Sequence, residues 1–201
     1  MKNLVKIFFL VILLLVPQAF SQEKFKREKI STLSKEAMEE MRLQQNLDNL
    51  TIANYQAFER TVYYFLNLKD KAIMPLVEHL KSNKNNDDVV IPTIYTLGRL
   101  GNKASKAVSV IMPFLSSPNR DIVFTTISAL GKIGKASDKA VPQLYPIAYD
   151  QTDMVLNKAA LIALERINTP NSMAILQEIK NIEILEKKRK EQANQEAAPQ
   201  Q

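Results

Sequence analysis

All four glycines of this 201-residue chain fall in two stretches of one design, "TLGRLGNKASKAV" from Thr96 to Val108 and "ALGKIGKASDKAV" from Ala129 to Val141. Gly98 and Gly101 recur as Gly131 and Gly134, 33 residues on, and the register extends well beyond them. Leu97 pairs with Leu130, Leu100 with Ile133, Lys106 with Lys139, Ala107 with Ala140, Val108 with Val141 and Pro113 with Pro146. A third copy follows at a shift of 34, placing Leu164 and Ile167 with Leu130 and Ile133, and Glu165 and Asn168 with the glycines. Lys71 to Leu80 matches Lys106 to Leu115 at a shift of 35. Self-similarity of this length is the mark of a stacked array in which no unit buries its apolar face alone. Four units result.

Each unit reads as two helices. Asp121 is expected to cap a helix that carries Ile122, Thr126, Ala129 and Ile133 on one face. Gly131 and Gly134 are expected to close it through a left-handed turn, with Asn168 as the next best residue in the third copy. Ser137 or Asp138 is expected to cap the second helix, Pro142 to fit its first turn, and Pro113 and Pro146 to bend the second helices.

At these residues the chain resembles the HEAT-like repeats, in the short variant also found in phycobilin lyases. The shared pattern is an aspartate, a hydrophobic residue, an alanine-leucine-glycine step, and a second helix opening with alanine-valine-proline. The match is good from Asp88 to Ile179 and poor from Thr51 to Leu80. It implies an all-α fold, a right-handed α-α superhelix (solenoid) of about four HEAT-like helical hairpins. "TPLH" and the tetratricopeptide aromatic pattern are missing, which sets aside two other arrays of this period. The resemblance is nearly silent on function.

The ends differ from the middle. Lys2 and Lys6, the apolar run from Ile7 to Val16, Pro17 and the small residues of Ala19-Phe20-Ser21 read as an export signal, with cleavage before Gln22. An uncleaved anchor is the alternative, although ten uninterrupted apolar residues fall short of the roughly 20 that span a bilayer. The expected organisation is a signal peptide at 1–21, an amphipathic N-terminal cap at 22–50, the repeats at 51–180 and a charged helix with a disordered tail at 181–201. No cysteine exists for lipidation or disulfides. The location implied is periplasmic or secreted, with no stable membrane span after cleavage. Asn49-Leu50-Thr51 forms a glycosylation sequon, a triplet that arises often by chance.

Removing Lys2 and Lys6 leaves 25 basic against 21 acidic side chains, too small an excess, and too poor in interleaved aromatics, for a nucleic-acid binder. Catalysis has little to work with. His79 is the single histidine, no cysteine nucleophile or phosphate-binding glycine loop is present, and lone acidic pairs such as Asp87-Asp88 read first as helix caps. HEAT-like hydroxylases hold iron through histidine-glutamate pairs; here one pair stands in reverse, Glu78-His79, and that activity does not carry over. A pigment lyase would be out of place outside the cell. The expectation is therefore no enzyme, no metal and no cofactor.

The helix after the aspartate lines the inner, concave side of such stacks and in the family shows charge there. With Ile122 as first position, the third, sixth and seventh positions are Phe124, Ile127 and Ser128, preceded by Ile91, Ile94 and Tyr95 and followed by Lys158, Leu161 and Ile162. Seven of these nine are apolar or aromatic, and a helix apolar on all sides is normally covered on all sides. Either a partner docks there, or the chain's own N-terminal helix or tight packing between units covers the face. The candidate partner-binding residues are Ile91, Ile94, Tyr95, Phe124, Ile127, Lys158, Leu161 and Ile162. Arg99, Lys103, Lys106, Lys132, Lys135 and Lys139 recur at the turns, where an acidic partner, anionic lipid or plain solvation accounts for them. The function expected is a non-enzymatic scaffold or adaptor for an unidentified protein, as a monomer. The alternative is a structural protein that self-associates through its terminal helices.

Overall fold

A computed structural model describes residues 34–53 and 55–196, which leaves the expected signal peptide and the last five residues of the tail outside the described residues. The chain divides into two compact units, 1–46 and 47–201. In the first, the described residues are helical and begin helix α1, which covers 34–48; the remainder of the expected cap, 22–33, lies outside the described residues.

The second unit is all-α, with no strand among its described residues. Its helices are α2 (Tyr55–Leu68), α3 (Ile73–Ser82), α4 (Asp87–Arg99), α5 (Val108–Ile111), α6 (Arg120–Ile133), α7 (Val141–Tyr149), α8 (Met154–Ile167) and α9 (Pro170–Glu196). They pair as successive hairpins, α2 with α3 through to α8 with α9, and form a solenoid. Helices α4, α6 and α8 lie side by side as one layer; α3, α7, α9 and the α5 segment pack against it. Between the layers Ile94, Leu97, Ile111, Ile127, Leu130, Leu144 and Leu164 are fully buried. Each such side chain contributes about 1.5–3 kcal/mol of apolar burial. α9 runs unbroken through residue 180, so the expected boundary between repeats and tail falls inside a helix.

The repeat leaves a backbone signature. Among the described residues, positive φ outside glycine occurs at Lys69 (54°) and Asn168 (48°), and within glycine at Gly101 (61°) and Gly134 (78°). That is one residue per hairpin, each at the exit of its first helix, where a left-handed residue turns the chain back. The glycines thus divide their work, and the expected role is corrected for half of them. Gly98 and Gly131 lie inside α4 and α6 and hold neighbouring helices close. A Cβ on Gly98 would sit 2.8 Å from Cα of Ala129, and one on Gly131 would sit 2.9 Å from Cα of Ala163. Glu165 takes the equivalent place in α8, where no further first helix follows and a long polar side chain has room.

The caps also differ from expectation. Asn119, not Asp121, is the N-cap of α6, and its side chain accepts from the Asp121 N–H at 2.9 Å. Asn86 and Asp153 hold the same place before α4 and α8. Ser137 and Asp138 do not cap α7. Asp138 accepts hydrogen bonds from Thr169 and from Asn171 (2.8 Å) of the next hairpin, while the Ser137 hydroxyl is buried without a partner. Pro146 lies within α7 as expected, but Pro113 sits in the first turn of a 3-10 segment, Met112–Ser116, where it interrupts no α-helix.

Pro92, inside α4, has a consequence that no spacing announced. Lacking an N–H, it leaves the Asp88 carbonyl without its helical donor. Ile52, in the loop before α2, supplies the missing N–H at 3.0 Å. The proline therefore fastens the first loop of this unit to its second hairpin.

Candidate functional site

The open side of the α4–α6–α8 layer is set by helix geometry. At about 100° per residue, the third and seventh positions of each first helix stand together, while the sixth lies about 60° round from the third on the core side. Ile91 and Tyr95 are half-buried, Phe124 is exposed and Ser128 half-buried, and Lys158 and Ile162 are exposed. Ile94 and Ile127 are fully buried, so they belong to the core and not to a docking surface. Leu161, at the last first helix, is half-buried.

The face concentrates at its far end. Between α6 and α8 lies an open groove of about 400 Å³, lined by Phe124, Met154, Val155, Lys158, Ile162 and Arg166 among others. Phe124 is 42% exposed, Ile162 47%, Val155 50% and Met154 51%, which puts four large apolar side chains in contact with solvent around one cleft. Met154 and Val155 were not singled out from the sequence. They occupy the first turn of α8, where the two earlier copies carry Arg120-Asp121 and Asp87-Asp88, so the break from polar to apolar was their available mark.

At the near end, Tyr95 is already engaged. Its ring lies 5.7 Å from that of Phe58, its hydroxyl accepts from Arg99 Nη1 at 2.9 Å, and Lys132 Nζ stands 5.2 Å from its ring centre. The Tyr95 hydrogen bond is the main reason the Arg99 guanidinium is held above its ordinary range, with Glu59 the smallest of the influences on it. Arg99, Lys132 and Arg166 hold the same register in α4, α6 and α8, at steps of 33 and 34. Among the described residues none of the three forms an ion pair. Arg166 escaped notice in the sequence because the third copy has lost the glycines that flag the other two.

On the opposite edge, charge is spent within the protein. Arg120 donates to both carboxylate oxygens of Asp153, at 2.5 and 2.8 Å, and this fork holds the Asp153 carboxyl well below the usual carboxylate range. Asn119 donates to Asp87 at 2.7 Å on that edge, and at the turns Lys139 donates to Ser109 at 2.5 Å, so these residues tie one hairpin to the next.

His79 is half-buried in α3. Burial lowers its imidazole below the ordinary 6.5, with Asp48 acting in the opposite sense. Its Nδ1 lies 3.5 Å from the Asn83 side-chain nitrogen. Among the described residues no group of three or more histidine, cysteine, aspartate or glutamate side chains is placed to hold a metal, and no helix is long and apolar enough to cross a membrane.

A family model described as HEAT repeats matches residues 73–165, which takes in α3 to α8 almost entirely. Over this stretch the chain is similar to the HEAT repeats. The matched HEAT segment contains Tyr95, Phe124, Lys158 and Ile162, but stops short of Arg166 and the whole of α9. A search among curated proteins found no match to the chain.

Proposed function

We propose that the chain is an exported, non-enzymatic protein-binding module, a scaffold or adaptor, whose partner docks on the α4–α6–α8 face. The observation that carries this reading is the α6–α8 groove, where Phe124, Met154, Val155 and Ile162 keep about half of their surface in water. Apolar side chains scattered singly need no explanation, but four around one cleft form the kind of patch that interaction sites present. HEAT repeats commonly mediate protein-protein contacts, which supports the same reading. Export rests on the N-terminal sequence alone, and places the partner in the periplasm or outside the cell.

Affinity capture from an envelope fraction tests it, using the full chain and its Phe124→Glu and Ile162→Glu variants. Both positions are exposed, so the fold should survive, as circular dichroism will verify. Specific partners should be lost with either variant. Capture that survives both rules the face out.

A second reading is favoured by α9, which leaves Ile184 and Leu185 exposed at 44% and 63%. Self-association through this helix would cover them. Light scattering across a hundredfold concentration range decides, since a concentration-independent monomer removes it.

A further inference from the structure

We infer that the partner presents an extended acidic segment, with carboxylates seated on Arg99, Lys132 and Arg166; this deepens the docking reading above and rests on it. The three cations line a shallow trough of about 440 Å³ together with all four glycines. Gly98 and Gly131 are spent on helix contact, but at Gly101 and Gly134 a Cβ would meet nothing nearer than a carbonyl at 3.7 and 3.8 Å, so the two helix exits carry no side chain that would hold a guest main chain off. The trough opens beside the apolar α6–α8 groove, and Gly131 and Arg166 line both.

Part of the positive charge answers the helices themselves. The carboxyl end of a helix carries about half a negative charge, so one full cation at each end leaves roughly half a positive charge unanswered. Three such ends in a row make a basic line, and no ion pair among the described residues neutralises it. Glu165 neighbours Arg166 but points about 100° away round the helix. This contrasts with the opposite edge, where Arg120 is fully matched by Asp153.

Spacing selects the guest. Packed helices stand about 8–10 Å apart. An extended chain rises about 3.3 Å per residue, so a carboxylate at every third residue keeps step with the line. Every third side chain does not fall on one side of a flat strand, so the segment must twist as it crosses, in the manner of a three-residue-per-turn extended helix. Its apolar residues are then free to enter the groove at Phe124 and Ile162.

The test uses fluorescence anisotropy of the full chain with a labelled twelve-residue peptide, Glu-Ala-Leu repeated four times. The comparison probes are its Lys-Ala-Leu counterpart, a single-stranded oligonucleotide and phosphatidylserine vesicles. The expected result is binding of the glutamate peptide at 50 mM salt, at least tenfold tighter than the lysine peptide. It should weaken at least tenfold in Arg99→Gln/Lys132→Gln/Arg166→Gln and at 300 mM salt. The single charge reversal Lys132→Glu should act in the same direction and guards against any loss of fold in the triple variant. Failure of the glutamate peptide to bind overturns the inference, as does tighter binding of the vesicles or the oligonucleotide. If envelope partners depend on Phe124 and Ile162 but not on the three cations, the inference falls and the docking face stands; if they depend on neither, both fall.

Discussion

Replacing Gly98 by alanine tests the closest approach in the array. A methyl group there would lie 2.8 Å from Cα and 2.9 Å from Cβ of Ala129. Carbon atoms prefer about 3.5–4.0 Å, so the overlap is about 0.6–1.2 Å. Ala129 is buried in α6 and the nearer atom is backbone, so no side chain can swing aside. Helices α4 and α6 must part, and a gap of that order forfeits a quarter to a half of the dispersion energy of each facing pair. Overpacking costs about 1–3 kcal/mol, and a clash with unyielding backbone belongs at the upper end, about 2–3 kcal/mol. Alanine's better helix propensity returns about 1 kcal/mol. The expected net loss is about 1–2 kcal/mol, or roughly 2–8 °C in Tm for a unit of this size. Urea and thermal unfolding of the full chain measure it. Gly101→Ala is the contrast: its Cβ would meet only the Lys132 carbonyl at 3.7 Å, and the penalty is the positive φ alone, about 1 kcal/mol. Adding Ala129→Gly to Gly98→Ala should restore only part of the loss, because the new methyl still overlaps the backbone of α6. A Gly98→Ala protein as stable as the parent would refute the close approach of α4 and α6.

Three further outcomes follow from single residues. Lys69 takes the positive φ that glycine or asparagine takes in the other hairpins, so Lys69→Gly should raise stability by up to about 1 kcal/mol in urea unfolding. Ser137 buries an unpartnered hydroxyl where Ala104 stands one unit earlier, and Ser137→Ala should gain about 1 kcal/mol by the same assay, whereas a loss would mean the hydroxyl has a partner. His79, held below 6.5 by burial, binds its proton less readily folded than unfolded; stability should therefore fall as pH drops through 6.5 and level off below the folded value. Urea midpoints at pH 8 and 5.5 measure this, and His79→Gln should flatten the difference. The window stays above the carboxylate range, where Asp153 adds its own loss on acidification.

Local chemistry was legible from residues alone. The recurrence of Gly101, Gly134 and Asn168 announced three of the four left-handed exits, because few residues accept that backbone. The fourth, at Lys69, carried no such mark. The heptad-like apolar spacing of α6 announced a helix with Ile122, Thr126, Ala129 and Ile133 inward, and all four are buried. The candidate face was read one step off: Ile94 and Ile127 were placed outward because an all-apolar helix leaves its own inward direction undefined. Only the neighbouring layer says which apolar residues it covers.

The repeat length, the all-α hairpins and the positions of their turns were written in the amino-acid order, since each depends on interactions within about thirty residues. Tertiary structure alone decided that Gly98 and Gly131 let neighbouring helices touch, that Pro92 frees a carbonyl for Ile52, and that Met154 and Val155 join Phe124 and Ile162 around one groove. Those facts depend on the distance between elements that the chain sets side by side, and a periodic pattern repeats its elements without stating how closely they stand.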